Sequence, residues 1–180
     1  MKRKWILWSV LATLALAIVV HVVALLALPN IIMNTQMSIY LARMNVNTVS
    51  KAARATAAVR TAAARPNANM FMSGFVYDLS KGPVVFTSPV PTDHYWSVSC
   101  FANNSDNFFV INDQQIKSNP VRVLLISKGM KYSNPDNAVV VTAPSVRGIG
   151  VIRQAIPSAE RAKEAEDLQN QASMSVQSIP

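Results

Sequence analysis

His94 is the one histidine beyond the apolar N-terminal run, and Cys100 is the one cysteine in 180 residues. A histidine serves as a base near neutral pH, and a hydrolytic relay adds a nucleophile and an orienting carboxylate beside it in space. Asp93 precedes His94, but neighbouring side chains on an extended strand point to opposite faces, so the two are not expected to be partners. Asp78 and Asp106 are the carboxylates that folding would have to bring to His94. His94, Asp78 and Asp106 are therefore the catalytic candidates, for a hydrolase-like reaction. A metal centre needs several His, Cys, Asp or Glu ligands that converge, and one His, one Cys and scattered aspartates do not supply them. No metal site and no cofactor are expected. The chain has no G-x-G-x-x-G, no phosphate-binding loop and no G-x-S-x-G.

The other candidates are apolar. Nine aromatic residues fall between Phe71 and Phe109. Such a cluster either fills a core or lines an apolar cavity, and Phe71, Phe86, Trp96 and Phe109, with Arg153, are the ligand-binding candidates. Arg122 and Arg153 both sit in apolar surroundings, where an arginine more often anchors a structural ion pair. Cys100 lies in W-S-V-S-C-F-A, an alternating run that predicts a buried thiol, and a lone cysteine excludes an internal disulfide.

The elements that position these residues begin with an apolar span. Trp5 to Leu28 is 24 residues without Asp, Glu, Lys or Arg. As a helix it is about 36 Å long, enough for a hydrocarbon core of about 30 Å. Lys2, Arg3 and Lys4 precede it, and the run exceeds a signal-peptide core and ends without an A-x-A site. An uncleaved anchor is expected, with a cytoplasmic N-terminus. In a bacterium that places the rest of the chain in the periplasm, on the inner membrane, with lipid contacting residues 5–28. His21 lies within this span, where a neutral side chain facing a partner helix is the simplest expectation.

Charge follows the same division. The net charge of +8 suggests nucleic acid at first sight, but residues 1–65 carry eight basic and no acidic groups, while residues 66–180 carry nine of each. The domain is neutral, and nucleic acid is not expected as a partner. Residues 31–65 lack Gly and Pro and are rich in alanine, which predicts a basic helical stalk, either solvated, packed on the domain or lying on anionic lipid. From Pro66 the texture is β. Phe75–Leu79, Pro83–Thr87, His94–Ala102, Phe108–Asn112, Val121–Ser127 and Ala138–Ala143 read as strands bounded by Gly, Pro, Asn or Asp. Trp96, Val98, Cys100 and Ala102 share one face, and Gly82-Pro83 reads as a hairpin corner. Ala159 to Ala172 reads as a terminal helix with Lys163 and Asp167 at i,i+4, and the tail from Ser173 is expected to fray.

The expected fold is thus mainly β with helices. A single transmembrane helix (1–30) and a basic Ala-rich helix (31–65) precede a small β-sandwich or partly open barrel with a C-terminal helix (66–172), followed by a flexible tail (173–180).

The stretch from Asn67 to Asn112 resembles the bacterial "domain of unknown function 1254" family. Asp78-Leu-Ser-Lys-Gly-Pro-Val-Val85 matches its D-L-S-x-G-P-V-V element throughout. Asn67 and Ser73 match an earlier N-x-D-T-x-Y-S element, where Asn69, Met70 and Met72 replace Asp, Thr and Tyr. His94-Tyr95-Trp96 stands where R-Y-Y is usual. Gly150 and Arg153 match a closing G-x-x-R, and Leu168-Gln169 an L-Q pair. The resemblance implies a mainly β domain and no established activity. The expectation for function is a membrane-tethered envelope domain, non-enzymatic, binding a small apolar ligand or a partner protein. The alternatives are a hydrolase-like enzyme using His94 with a carboxylate, and a small accessory subunit that associates with another membrane protein.

Overall fold

The computed structural model describes residues 2–54, 67–134 and 136–177. One helix, α1 (Lys2–Leu41), leads into nine strands: β1 (Ala53–Arg54), β2 (Met70–Asp78), β3 (Val84–Ser88), β4 (Trp96–Ala102), β5 (Asn107–Asn112), β6 (Val121–Ser127), β7 (Val139–Ala143), β8 (Arg147–Ala155) and β9 (Ser173–Val176). A short helix, α2 (Ala162–Gln169), separates the last two strands.

The 40 residues of α1 make a rod of about 60 Å. It is apolar around its whole circumference, with a mean hydropathy of 2.8 over its best window and none of that window buried. Every large apolar side chain from Trp5 to Leu28 is exposed, Val22 least at 47%. A helix of this kind is long and apolar enough to cross a membrane. Past Pro29 its character changes, and Met33 and Met37 become buried.

The strands form two sheets that face each other, and the domain is a sandwich, not a closed barrel. The first has the order β1-β2-β8-β4-β5 and the second β7-β6-β3-β9, with only the β6–β7 pair parallel. Their inner faces share one core: Phe75, Tyr77, Trp96, Val98, Cys100 and Ile152 from the first sheet, Val84, Phe86, Val121, Val123 and Leu125 from the second. Phe75 and Phe86 stack across the gap at 5.3 Å between ring centroids. The alternation along β4 points Trp96, Val98, Cys100 and Ala102 inward as expected. Arg122, which the sequence suggested as an ion-pair anchor, pairs with Asp136.

Several expectations are corrected. The helix expected over 31–65 stops at Leu41, and residues 46–54 run instead along the free edge of β2. Asn47 N–H donates to the Val76 carbonyl, Val49 bridges Phe75, Ser50 N–H donates to the Gly74 carbonyl, and Ala53 pairs with Met72. Asn45, Asn47, Thr48 and Ser50 favour local bonds over helix, and an open strand edge supplies backbone partners that override alanine propensity. The alanine-rich remainder, 55–65, lies outside the described residues. The segment from Ser173 does not fray: β9 pairs with β3 from Ser173 to Val176, while 178–180 lie outside the described residues. Gly82-Pro83 is not a hairpin corner, because β2 and β3 belong to different sheets and the turn carries the chain between them. Gly82 has φ 135°, a left-handed conformation that glycine alone adopts freely.

The largest difference is β8, which was not expected as a strand and lies at the centre of the first sheet, paired along its length with β2 and β4. Gly148 and Gly150 weaken its strand signature. Both face inward beneath aromatic rings of β2, in register with Tyr77 and Phe75. A Cβ on Gly150 would fall 1.9 Å from Phe75 Cζ, and one on Gly148 2.1 Å from the Phe101 carbonyl oxygen.

Candidate functional site

The three catalytic candidates do not converge. Asp78 ends β2 opposite Arg147, the first residue of β8, and its Oδ2 accepts from Arg147 Nε at 2.7 Å. Its Oδ1 accepts from Ser80 N–H at 2.9 Å. Burial by itself would raise the Asp78 pKa, but hydrogen bonds from Ser80 and the Arg147 guanidinium outweigh it and hold the carboxyl below its usual range. Asp106 sits in the β4–β5 turn, bonded to the Asn104 amide, and Ala102, the last residue of β4, pairs with Gly148. Both carboxylates therefore stand at the β8 N-terminal end. His94 lies at the other end, beside Gln154, roughly 23 Å away along the strand.

His94 does have a carboxylate, and it is the one the sequence argument set aside. Asp93 and His94 occupy a bend before β4, which begins only at Trp96, so strand alternation does not separate them. His94 Nδ1 lies 2.7 Å from Asp93 Oδ1. Gln154 Nε2 lies 3.1 Å from His94 Nε2. An amide nitrogen only donates, so Nε2 accepts and Nδ1 carries the proton. The pair resembles the orienting half of a hydrolytic relay, but Nε2, where a nucleophile would bond, holds the fully buried Gln154. Asp93 also accepts from Arg161 Nη1 at 2.6 Å, and Arg161 reaches Glu164 at 3.0 Å. Bonds from Arg161 and then from His94 push the Asp93 pKa down to about 2. Chemically the cluster is a tie that fastens the bend to β8 and to the start of α2.

The aromatic candidates separate likewise. Phe86 and Trp96 are closed inside the core, with 1% and 0% exposure, and Phe109 packs against the same cluster. Phe71 is buried on β2 outside it. Burial also pushes the Cys100 thiol up to about 12, so it carries no nucleophilic role at neutral pH.

The outer face of the first sheet differs in kind. Met33, Met37 and Tyr40 of α1 pack there on Val76, Ile149, Phe101 and Val151. Tyr40 rests on Gly74, whose missing side chain leaves room for the ring: a Cβ there would lie 2.5 Å from it. Beside α1 runs a groove of about 510 Å³ lined by Asn34, Met37, Leu41, Val146 and Arg147. Beyond Tyr40 the face turns polar. Arg153 lies between Met72 and Ser97 and donates to Ser99 Oγ at 3.3 Å, and Tyr95 donates to Ser97 Oγ at 2.7 Å. Of the ligand-binding candidates, Arg153 alone reaches this surface region with donors to spare. Ser97 and Ser99 were missed, although alternation with Trp96, Val98 and Cys100 already sets them on the face away from the core. No group of three or more His, Cys, Asp or Glu converges among the described residues.

Comparison with solved structures finds the same fold in a protein from Vibrio parahaemolyticus, with a TM-score of 0.62 at 13% identity, over 76% of this chain and 31% of that one. An uncharacterised protein from Burkholderia cenocepacia gives a TM-score of 0.49 at 12% identity, over 74% of this chain and 35% of that one. The chain spans about a third of the length of these two structures. No curated protein matches it in sequence. The family model described as "Protein of unknown function (DUF1254)" matches residues 46–176, from the edge segment beside β2 to the end of β9, and the chain belongs to that family.

Proposed function

We propose that this is a single-pass inner-membrane protein of a bacterial envelope, with its N-terminus cytoplasmic and its β domain periplasmic. The domain acts without catalysis, as a docking unit for a partner protein. The observation that carries this reading is α1. It exposes apolar side chains from Trp5 to Leu28 and continues unbroken into Met33, Met37 and Tyr40, which pack on the first sheet. An apolar rod of that length is stable in lipid and costly in water. The Ser105 hydroxyl donates to the Pro29 carbonyl at 3.0 Å, so the β4–β5 turn touches the helix one residue past the span. The domain would then sit on the bilayer surface with no stalk between. Of the two kinds of ligand expected from the sequence, the partner protein is favoured, because Phe86 and Trp96 are sealed in the core. The engagement of both His94 nitrogens counts against the hydrolase alternative.

Topology tests the reading directly. Native Cys100 is buried, so a cysteine placed at exposed Lys81 is the one reactive thiol of a Lys81→Cys variant. A membrane-impermeant maleimide should label it in intact spheroplasts. Labelling only after the membrane is opened, or recovery of the chain in the soluble fraction, would overturn the reading.

A further inference from the structure

The nine Asp and Glu side chains all fall within the described residues. Among the described residues the ion pairs join Asp78 to Arg147, Asp93 to His94 and Arg161, Asp136 to Arg122, Glu164 to Arg161 and Asp167 to Lys163, and Arg153 enters none of them. Yet Arg153 is half-buried, in the middle of the sheet. A guanidinium offers five N–H donors, and among the described residues one of them is used, in a long bond to Ser99 Oγ. A partly desolvated cation without a counter-charge is an unfavourable arrangement that an anion relieves.

The neighbours suit an anion. Ser99 is 4% exposed and its hydroxyl already faces the guanidinium. The Tyr40 hydroxyl is held over Gly74, which pairs with Val151, two residues before Arg153 on the same face of the sheet. No acidic residue precedes Asp78, while Arg43, Lys51 and Arg54 lie in the exposed segment that follows α1 and edges the same sheet. That segment gives the region a positive field that draws anions in. We propose that Arg153, Ser99 and Tyr40 form a binding site for a small carboxylate or phosphate anion on the outer face of the first sheet. The planar fork of Arg153 takes two anion oxygens and the hydroxyls donate to a third position.

The anion comes from solution and not from a lipid headgroup. Tyr40 lies twelve residues past Leu28, about 18 Å along the helix, beyond a headgroup layer of roughly 5–7 Å. This point of source rests on the proposed membrane reading, whereas the site itself does not.

The test uses the full chain in zwitterionic phosphatidylcholine nanodiscs, with thermal unfolding followed against inorganic phosphate or succinate at constant ionic strength. At least one anion should raise the melting temperature saturably, beyond the effect of chloride. Arg153→Gln should abolish the shift, Arg153→Lys should weaken binding about tenfold by removing the fork, and Arg122→Gln should leave it intact. If Arg153→Gln does not fold, Ser99→Ala takes its place, with a severalfold weaker apparent affinity expected. Equal shifts in wild type and Arg153→Gln, or no saturable shift with either anion, would overturn the site. Stabilisation by phosphatidylglycerol nanodiscs alone, lost in Arg153→Gln, would overturn the solution source. The same titration in detergent micelles reads the site whatever the topology, so failure of the membrane reading shows separately.

Discussion

Gly150→Ala is the most informative single substitution in the core. The added methyl would lie 1.9 Å from Phe75 Cζ, 2.2 Å from Cε2 and 2.5 Å from Cε1. Ordinary carbon contacts are about 3.5–4 Å, so the ring has to recede by roughly 1.5–2 Å. Behind it stands Phe86 at 5.3 Å, and both rings are at most 1% exposed. A core packed to crystal density has no free space of that size. Overpacking of this kind costs about 3 kcal/mol, the upper end of the usual range. Phe75→Ala alone should cost about 3–5 kcal/mol through the cavity it leaves. In the Phe75→Ala background the Gly150 methyl fills part of that cavity and relieves the backbone entropy of glycine, so it should cost nothing or stabilise slightly. The coupling between the two sites is then about 3 kcal/mol. The assay is guanidinium unfolding of the full chain in micelles, with Trp5 and Trp8 replaced by Phe so that buried Trp96 is the one tryptophan reporter. Additivity within about 0.5 kcal/mol, or a cost below about 1 kcal/mol for Gly150→Ala alone, would refute the account of β8.

Three further outcomes are expected. Cys100 should resist a thiol reagent at pH 8 in the folded protein and react stoichiometrically in guanidinium, since burial holds its thiol near pKa 12; fast labelling of the folded chain would contradict its place in the core. Asp78 has a depressed pKa, so its contribution is present above the unfolded value of about 4 and is lost as pH falls through the folded one; Asp78→Asn should flatten the acid limb of the stability–pH curve below about pH 4, read from unfolding midpoints. Truncation after Ala172 removes β9 and the half-buried Met174, and should lower stability by about 1–2 kcal/mol in the same unfolding assay while leaving the first sheet intact.

What the sequence discloses here depends on how local the cause is. The apolar helix, the alternation along β4, the buried Cys100 and the Lys163–Asp167 pair follow from neighbours within a few residues, and all are present. The central strand was illegible because its two glycines look like breakers until the rings of Phe75 and Tyr77, more than 70 residues away, are laid over them. The Asp93–His94 pair was misjudged because β4 begins two residues later than its pattern suggested. Arg153 was visible as a candidate, but Ser99 meets it from β4, and Tyr40 and Gly74 share its face from α1 and β2. Only the tertiary register places them on one face.

The block Asp78-Leu-Ser-Lys-Gly-Pro-Val-Val85 carries the sequence resemblance, and its geometry gives it a structural role. The Asp78 backbone exchanges both hydrogen bonds with the Asn47 side chain, at 2.9 and 2.8 Å, which fixes the segment leaving α1. Asn47 holds φ 55°, a conformation that asparagine tolerates better than most residues. The Asp78 carboxylate turns the chain through Ser80 and holds Arg147 at the start of β8. Leu79 N–H donates to the Val146 carbonyl while its side chain enters the core. Gly82 then redirects the backbone, and the Pro83 carbonyl accepts from Gln177 at the end of β9. One short stretch thus joins the incoming helix, both sheets and the last strand. A substitution in it acts on all of these at once, so a loss of binding after Asp78→Ala would report a loosened joint and not a lost ligand. Chemistry is better sought at Arg153, three-quarters of the way along β8, where Arg153→Gln removes donors without touching the corner.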